Sequence, residues 1–203
     1  MKSSTFNRVL PLAALIASTG TAFSQDLSIG SDTVSSSGVA TVALDISGLG
    51  NGTALGTFDV NVGFNSSVVS FASASYGDPV LGDQLNLEGF GPVSSTIPGS
   101  GTTELFELSV DSPSALTSLQ ATSFTLATLT FDAVGSGTSG LDLSVNALGD
   151  QNGLPINATL QNGSITVTGP TMQAPEINAR SAVSGLTLLL GTLIVFRSRR
   201  SVS

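Results

Sequence analysis

From about Gln25 to Thr168 the chain reads as short runs in which apolar and polar side chains alternate, separated by Gly, Ser, Thr, Asn and Asp. A period of two is the signature of half-buried strands. In Val39–Ile46 the residues Ala40, Val42, Leu44 and Ile46 share one face. In Thr57–Phe64 the inward set is Phe58, Val60, Val62 and Phe64, with Thr57, Asp59 and Asn61 outward. In Thr103–Val110 the apolar set is Phe106, Leu108 and Val110, which gives Glu104 the inward parity. In Leu141–Ala147 the set is Leu141, Leu143, Val145 and Ala147. One apolar and one wet face per strand predicts antiparallel sheets packed face to face.

Two places break the rhythm. Phe124 and Leu126 share one parity, while Leu129, Phe131 and Ala133 share the other, so a bulge near Ala127–Thr128 is expected. Asn162-Gly163 predicts a tight turn or a glycine bulge in the last strand pair. With Leu27–Ile29, Val68–Tyr76 and Ser164–Val167 added, the count is eight or nine strands. The expected fold is an all-β sandwich or jelly roll over residues 25–168.

The two ends follow a different pattern. Lys2 and Arg8 precede the apolar run Val9–Ala17, and small residues follow at Ala22 and Ser24. A basic start, a short apolar centre and small residues predict a signal peptide over residues 1–24, cleaved after Ser24. At the other end, a linker over residues 169–181 leads to an apolar segment, Ala182–Phe196, and a basic tail over residues 197–203. As a helix this segment is roughly 24 Å long. That is short against a hydrocarbon core of about 30 Å, although flanking arginines can snorkel. The expectation is a single transmembrane helix with the domain outside and the basic tail in the cytoplasm.

Charge sharpens this division. The 203 residues carry six Lys and Arg against fourteen Asp and Glu, a net charge of -8. All six cations lie at the ends, at Lys2, Arg8, Arg180, Arg197, Arg199 and Arg200. Removing both ends, to leave Gln25–Gln173, takes away every cation and only Glu176 among the acids, so the mature charge becomes -13. Such a polyanion lacks the basic footprint of a nucleic-acid binder. With no Cys and no His in the chain, thiolate nucleophiles, disulfides, imidazole bases and zinc–thiolate sites are excluded. Suitable partners are cations, basic surfaces or neutral glycans.

Two resemblances add to this reading. Gln173-Ala174-Pro175-Glu176-Ile177-Asn178, the apolar segment and the closing Arg197-Ser198-Arg199-Arg200 resemble the PEP-CTERM sorting signal, with Ile177 where a second proline is usual. The resemblance implies recognition of Pro175, Glu176 and the cluster Arg197, Arg199 and Arg200 by a membrane exosortase. Removal of the helix and release to the cell surface or exopolysaccharide matrix would follow. Phe64-Asn65-Ser66-Ser67-Val68-Val69-Ser70-Phe71, Phe124–Phe131 and Asn162–Val167 are similar to strand signatures of cohesin domains. Asn65-Ser66 stands where Asp-Pro is commoner. This resemblance implies a nine-stranded jelly roll, related to carbohydrate-binding modules, that docks a protein ligand on one sheet face.

Three kinds of site can be placed on these residues. Calcium needs six to eight oxygens from carboxylates, amides and carbonyls in loops. Asp78 and Asp83 in one loop, with Asp150 and Asn152 in another, could contribute them. Glycan stacking needs exposed aromatic faces. Tyr76 and Phe90, flanking the Gly77–Gly101 connection, are the platform candidates. Paired carboxylates could hydrolyse glycosides, as Glu104 with Glu107 or Asp78 with Asp83. Residues three apart on a strand face opposite sides, however, and no Trp accompanies either pair. The expected function is non-catalytic binding of a surface protein or matrix polysaccharide by an exported, sorted protein. The alternatives are a calcium-dependent adhesion or glycan-binding module, and a secreted carboxylate hydrolase.

Overall fold

The structure, a computed structural model, describes residues 25–169. The signal-peptide residues Ala22 and Ser24, the sorting motif, the apolar segment and the basic tail lie outside the described residues. No helix among the described residues is long and apolar enough to cross a membrane.

In chain order the elements are β1 (Gln25–Ile29), β2 (Ser31–Ser35), β3 (Val39–Ser47), β4 (Leu55–Gly63), β5 (Val69–Tyr76), β6 (Val93–Pro98) and β7 (Thr102–Leu108). They continue with α1 (Pro113–Leu119), β8 (Phe124–Ala133), β9 (Gly137–Asp150), β10 (Ala158–Gln161) and β11 (Gly163–Thr168). One sheet has the order β10-β1-β3-β8-β5 and the other β2-β11-β9-β4-β7-β6. The expected jelly-roll sandwich is therefore present, with eleven strands among the described residues where eight or nine were expected.

The extra strands have local causes. The first apolar run divides at Gly30, where β1 in one sheet becomes β2 in the other. The last run divides at Asn162, where β10 becomes β11. Because β1 pairs parallel with β10 and β2 pairs parallel with β11, two paired strands cross between the sheets side by side. The crossing is so close that a Cβ on Gly163 would collide with the carbonyl oxygen of Gly30. Asn162-Gly163 is thus a sheet crossover and not the expected turn or bulge. The third addition, β6, lies inside the Gly77–Gly101 connection. A short helix appears as well: Ser112 Oγ accepts from Ala115 N at 3.3 Å, and Pro113 supplies a preset φ at the first turn.

The core is the space between the sheets. Ala40, Val42, Leu44 and Ile46 on β3 are buried, as are Phe58, Val60 and Val62 on β4. Phe131 sits at its centre, with Phe64 and Phe71 edge-on at centroid distances of 5.4 and 5.7 Å. Each fully buried Val, Leu, Ile or Phe among them stabilises by about 1.5–3 kcal/mol. There is no Lys, Arg or His between residues 25 and 169, so packing and hydrogen bonds carry the domain without ion pairs.

Bulges set which side chains face in. In β8 the register shift leaves Leu126 unpaired, one position before the expected bulge, and Phe124, Leu126, Ala127, Leu129 and Phe131 are all buried. A second shift, at Asn146 in β9, corrects the reading of that strand: Leu141 and Leu143 are buried, Val145 and Ala147 are exposed, and Leu148 returns to the core. The reading of β7 is corrected more deeply. Its inward residues are Thr103, Leu105 and Glu107, while Phe106, Leu108 and Val110 lie outward or beyond the strand. The cause is register, since Leu105 pairs with Val60 and Glu107 with Phe58, and paired residues share a face.

Candidate functional site

With Phe58, Val60 and Val62 turned inward, β4 must present Thr57, Asp59 and Asn61 on the outer face of the six-stranded sheet. Register then builds three rows across β9, β4, β7 and β6. They are Gly149–Thr57–Leu108–Val93, Ala147–Asp59–Phe106–Ser95 and Ser144–Asn61–Glu104–Ile97. The two halves of this face differ. On β6 and β7, Val93 is 54% exposed, Ile97 56% and Leu108 41%. On β4 and β9, Asn146 Nδ2 donates to Asp59 Oδ1 at 2.9 Å, and Asn61 Nδ2 donates to Asn146 Oδ1 at 3.1 Å. An aliphatic strip thus lies beside a ladder of fixed amides and a carboxylate. A surface of this kind suits a partner with apolar anchors and a polar rim.

β6 is held from below by Tyr76. The Tyr76 hydroxyl donates to the carbonyl oxygen of Ser95 at 2.5 Å and lies 2.9 Å from Thr96 Oγ1, while its ring packs 6.2 Å from that of Phe58. Tyr76 therefore ties the end of β5, in one sheet, to β6 in the other. Phe90, paired with it in the sequence reading, is 70% exposed in the β5–β6 connection.

The candidate calcium residues are engaged by backbone. Asp78 Oδ1 accepts from Val80 N at 2.8 Å and Leu81 N at 2.9 Å, and Oδ2 accepts from Thr125 N at 2.9 Å. Those bonds, led by the one from Thr125, hold its carboxyl below the usual range. Asp83 Oδ1 accepts from Leu85 N at 2.9 Å, and burial, with Asp111 nearby, pushes its carboxyl up. Asp150 Oδ1 accepts from Asn152 N and Leu154 N, both at 2.8 Å, which closes its own turn. Among the described residues no three acidic groups converge as metal ligands. Glu104 and Glu107 face opposite sides of β7, as their spacing requires, but Glu107 is the inward one. Two carboxyls on opposite faces of a sheet cannot flank one glycosidic bond.

Two features were missed by the sequence reading. One is the aliphatic strip. The other is an amide pair, Gln84 buried and Gln120 half-buried: Gln84 Oε1 accepts from Ala121 N at 2.9 Å and its Nε2 donates to Leu81 O at 3.0 Å. Gln120 Oε1 accepts from Leu55 N at 2.6 Å, and its Nε2 donates to Leu55 O at 2.9 Å and Gln84 O at 3.0 Å. Only the pairing partners, not the local sequence, reveal either feature.

No protein-family model matches the chain, and no curated protein does. Solved structures do match. The seventh ScaB type I cohesin of Pseudobacteroides cellulosolvens aligns at 15% identity and TM-score 0.58, over 74% of this chain and 96% of that one. A non-cellulosomal cohesin from the archaeon Archaeoglobus fulgidus aligns at 11% identity and TM-score 0.54, over 71% and 91%. A structure of a type I cohesin–dockerin complex from Clostridium thermocellum aligns at 11% identity and TM-score 0.58, over 71% and 99%. At these identities the likeness defines the fold, and that fold is a cohesin-like β-sandwich.

Proposed function

We propose that this domain is a non-catalytic protein-docking module of an exported protein, and that it docks through the outer face of β9-β4-β7-β6. The observation that carries the reading is the aliphatic strip Val93–Ile97–Leu108 beside the Asp59–Asn146–Asn61 ladder on the same face. A cohesin-like fold supports it, since one structure neighbour was solved as a complex with a dockerin. Thirteen acids without one cation between residues 25 and 169 favour a partner that presents aliphatic anchors among Lys and Arg. The terminal segments fit the same role: a signal peptide for export, then exosortase processing for release to the surface or matrix. A matrix polysaccharide is the competing ligand.

The test compares wild type with the double variant Ile97→Asp, Leu108→Asp on matrix fractions separated into protein and polysaccharide. Salt-sensitive binding to the protein fraction, lost in the variant while the melting temperature holds, supports the reading. Binding to stripped polysaccharide that the variant retains would sink it. Sorting is tested separately by deleting residues 173–203. If the truncated protein still reaches the surface in the same form, the sorting half is wrong.

A further inference from the structure

Glu107 is the anomaly of the core. It lies on the inward face of β7 between Phe58 of β4 and Ser94 of β6, is 1% exposed, and its Oε1 has no hydrogen-bond partner among the described residues. The titratable groups that face it are Asp83, from the β5–β6 connection, and Tyr76, from the end of β5. Asp111 acts on Asp83 in turn, and accepts from Leu87 N at 2.5 Å and Glu88 N at 3.3 Å. Every one of these groups is an acid, and residues 25–169 hold no cation to offset a charge. An unpaired carboxylate cannot be held at this depth, so the folded state keeps the proton. Burial first, and then Asp83, push the Glu107 carboxyl up to about 8.

Position turns this into a device. On β7, Glu107 sits between Phe106 and Leu108, which face outward into the proposed docking surface. Among the described residues, β6 alone lies beyond β7, at the edge of the sheet. We propose that Glu107 is a proton-operated latch for the β6–β7 edge: protonated, it lets β7 lie against the core with Leu108 and Val93 aligned outside, and loss of the proton loosens both strands. The use of the latch, switching docking off as pH rises, rests on the docking reading. The latch itself does not, and it can be tested with no partner present.

Tyr76 is the only tyrosine in a chain without tryptophan, so its fluorescence reports from the latch. The full chain, held in detergent, is titrated from about pH 5 to pH 9 as wild type, Glu107→Gln and Glu107→Met. Wild type should show a one-proton change in Tyr76 emission centred near pH 8, and both neutral variants should lack it. Amide protection factors in β6 and β7, corrected for base catalysis, should fall roughly tenfold per pH unit up to that point and then level off. Amides of β3 should not follow. If the variants fail to fold, the Glu107 carboxyl is titrated directly in wild type by carbon NMR. A midpoint near the ordinary 4.5, or a transition that survives in both variants, overturns the proposal. If the latch titrates as expected but no protein binds, the docking reading fails alone.

Discussion

Two polar sites lie at similar depth in this domain and are treated in opposite ways. Gln84 is 6% exposed and Glu107 is 1% exposed. Gln84 and its neighbour Gln120 use amides that both donate and accept, and they tie the β5–β6 connection, β4 and the end of α1 together. Glu107, an acceptor when ionised, faces other acids, and its Oε1 has no partner among the described residues. Buried polarity is therefore a fastening in one place and a liability, tunable by protons, in the other. The difference follows from what each site faces: backbone groups satisfy the amides, and backbone N–H groups satisfy the buried Asp111 carboxylate as well, whereas Glu107 Oε1 meets no donor among the described residues and residues 25–169 hold no cation.

The largest effect is expected at the fastening. Gln120→Ala strands the backbone groups of Leu55 and should cost about 3 kcal/mol in a denaturation midpoint, at any pH between about 5 and 9. If it costs less than about 1 kcal/mol, the amide pair is not a fastening.

The latch comes next, and here the sign depends on pH. Glu107 has a folded value near 8, above its ordinary 4.5, so the stability it contributes is complete below about 4.5 and is lost as pH rises through about 8. Glu107→Gln should be close to neutral near pH 5 and stabilising by roughly 2 kcal/mol or more near pH 9. Asp83 is also raised and adds to the same trend. Equal shifts at both pH values would mean that Glu107 acts through shape alone.

A smaller effect is expected from salt. Thirteen uncompensated acids repel one another, so raising NaCl should raise the melting temperature steadily. The smallest is Asp78→Asn. Asp78 is held below its ordinary 3.8, so its contribution is present at neutral pH and fades only as pH falls through that depressed value. The variant should melt slightly lower at neutral pH and match wild type in strong acid.

The sandwich was legible in the sequence because β3 and β4 each carry several apolar residues at period two with polar residues between. β7 was not legible in the same way. It has apolar residues on both parities, Leu105 on one and Phe106 with Leu108 on the other. Pairing with β4, a fact about a distant part of the chain, decides between them. β9 was legible only as far as Leu143, because the bulge at Asn146 resets its parity. β6 escaped notice because Val93 and Ile97 are its only large apolar residues, and both face solvent. The candidate site suffered from the same limit. Asp78 and Asp150 were visible as oxygen donors, yet their oxygens already serve Val80, Leu81, Thr125, Asn152 and Leu154. Nothing local to Tyr76 predicts that its hydroxyl reaches β6.

If the domain docks as proposed, the outer face of the six-stranded sheet, and not that of the other sheet, meets a protein. The direct measurement places a photo-reactive side chain at Leu108, and in a second chain at Thr41 on the outer face of β3, and irradiates cells that display each form. A discrete protein adduct is expected from position 108 and none from position 41. Adducts from position 41 alone, or equally from both, would contradict it.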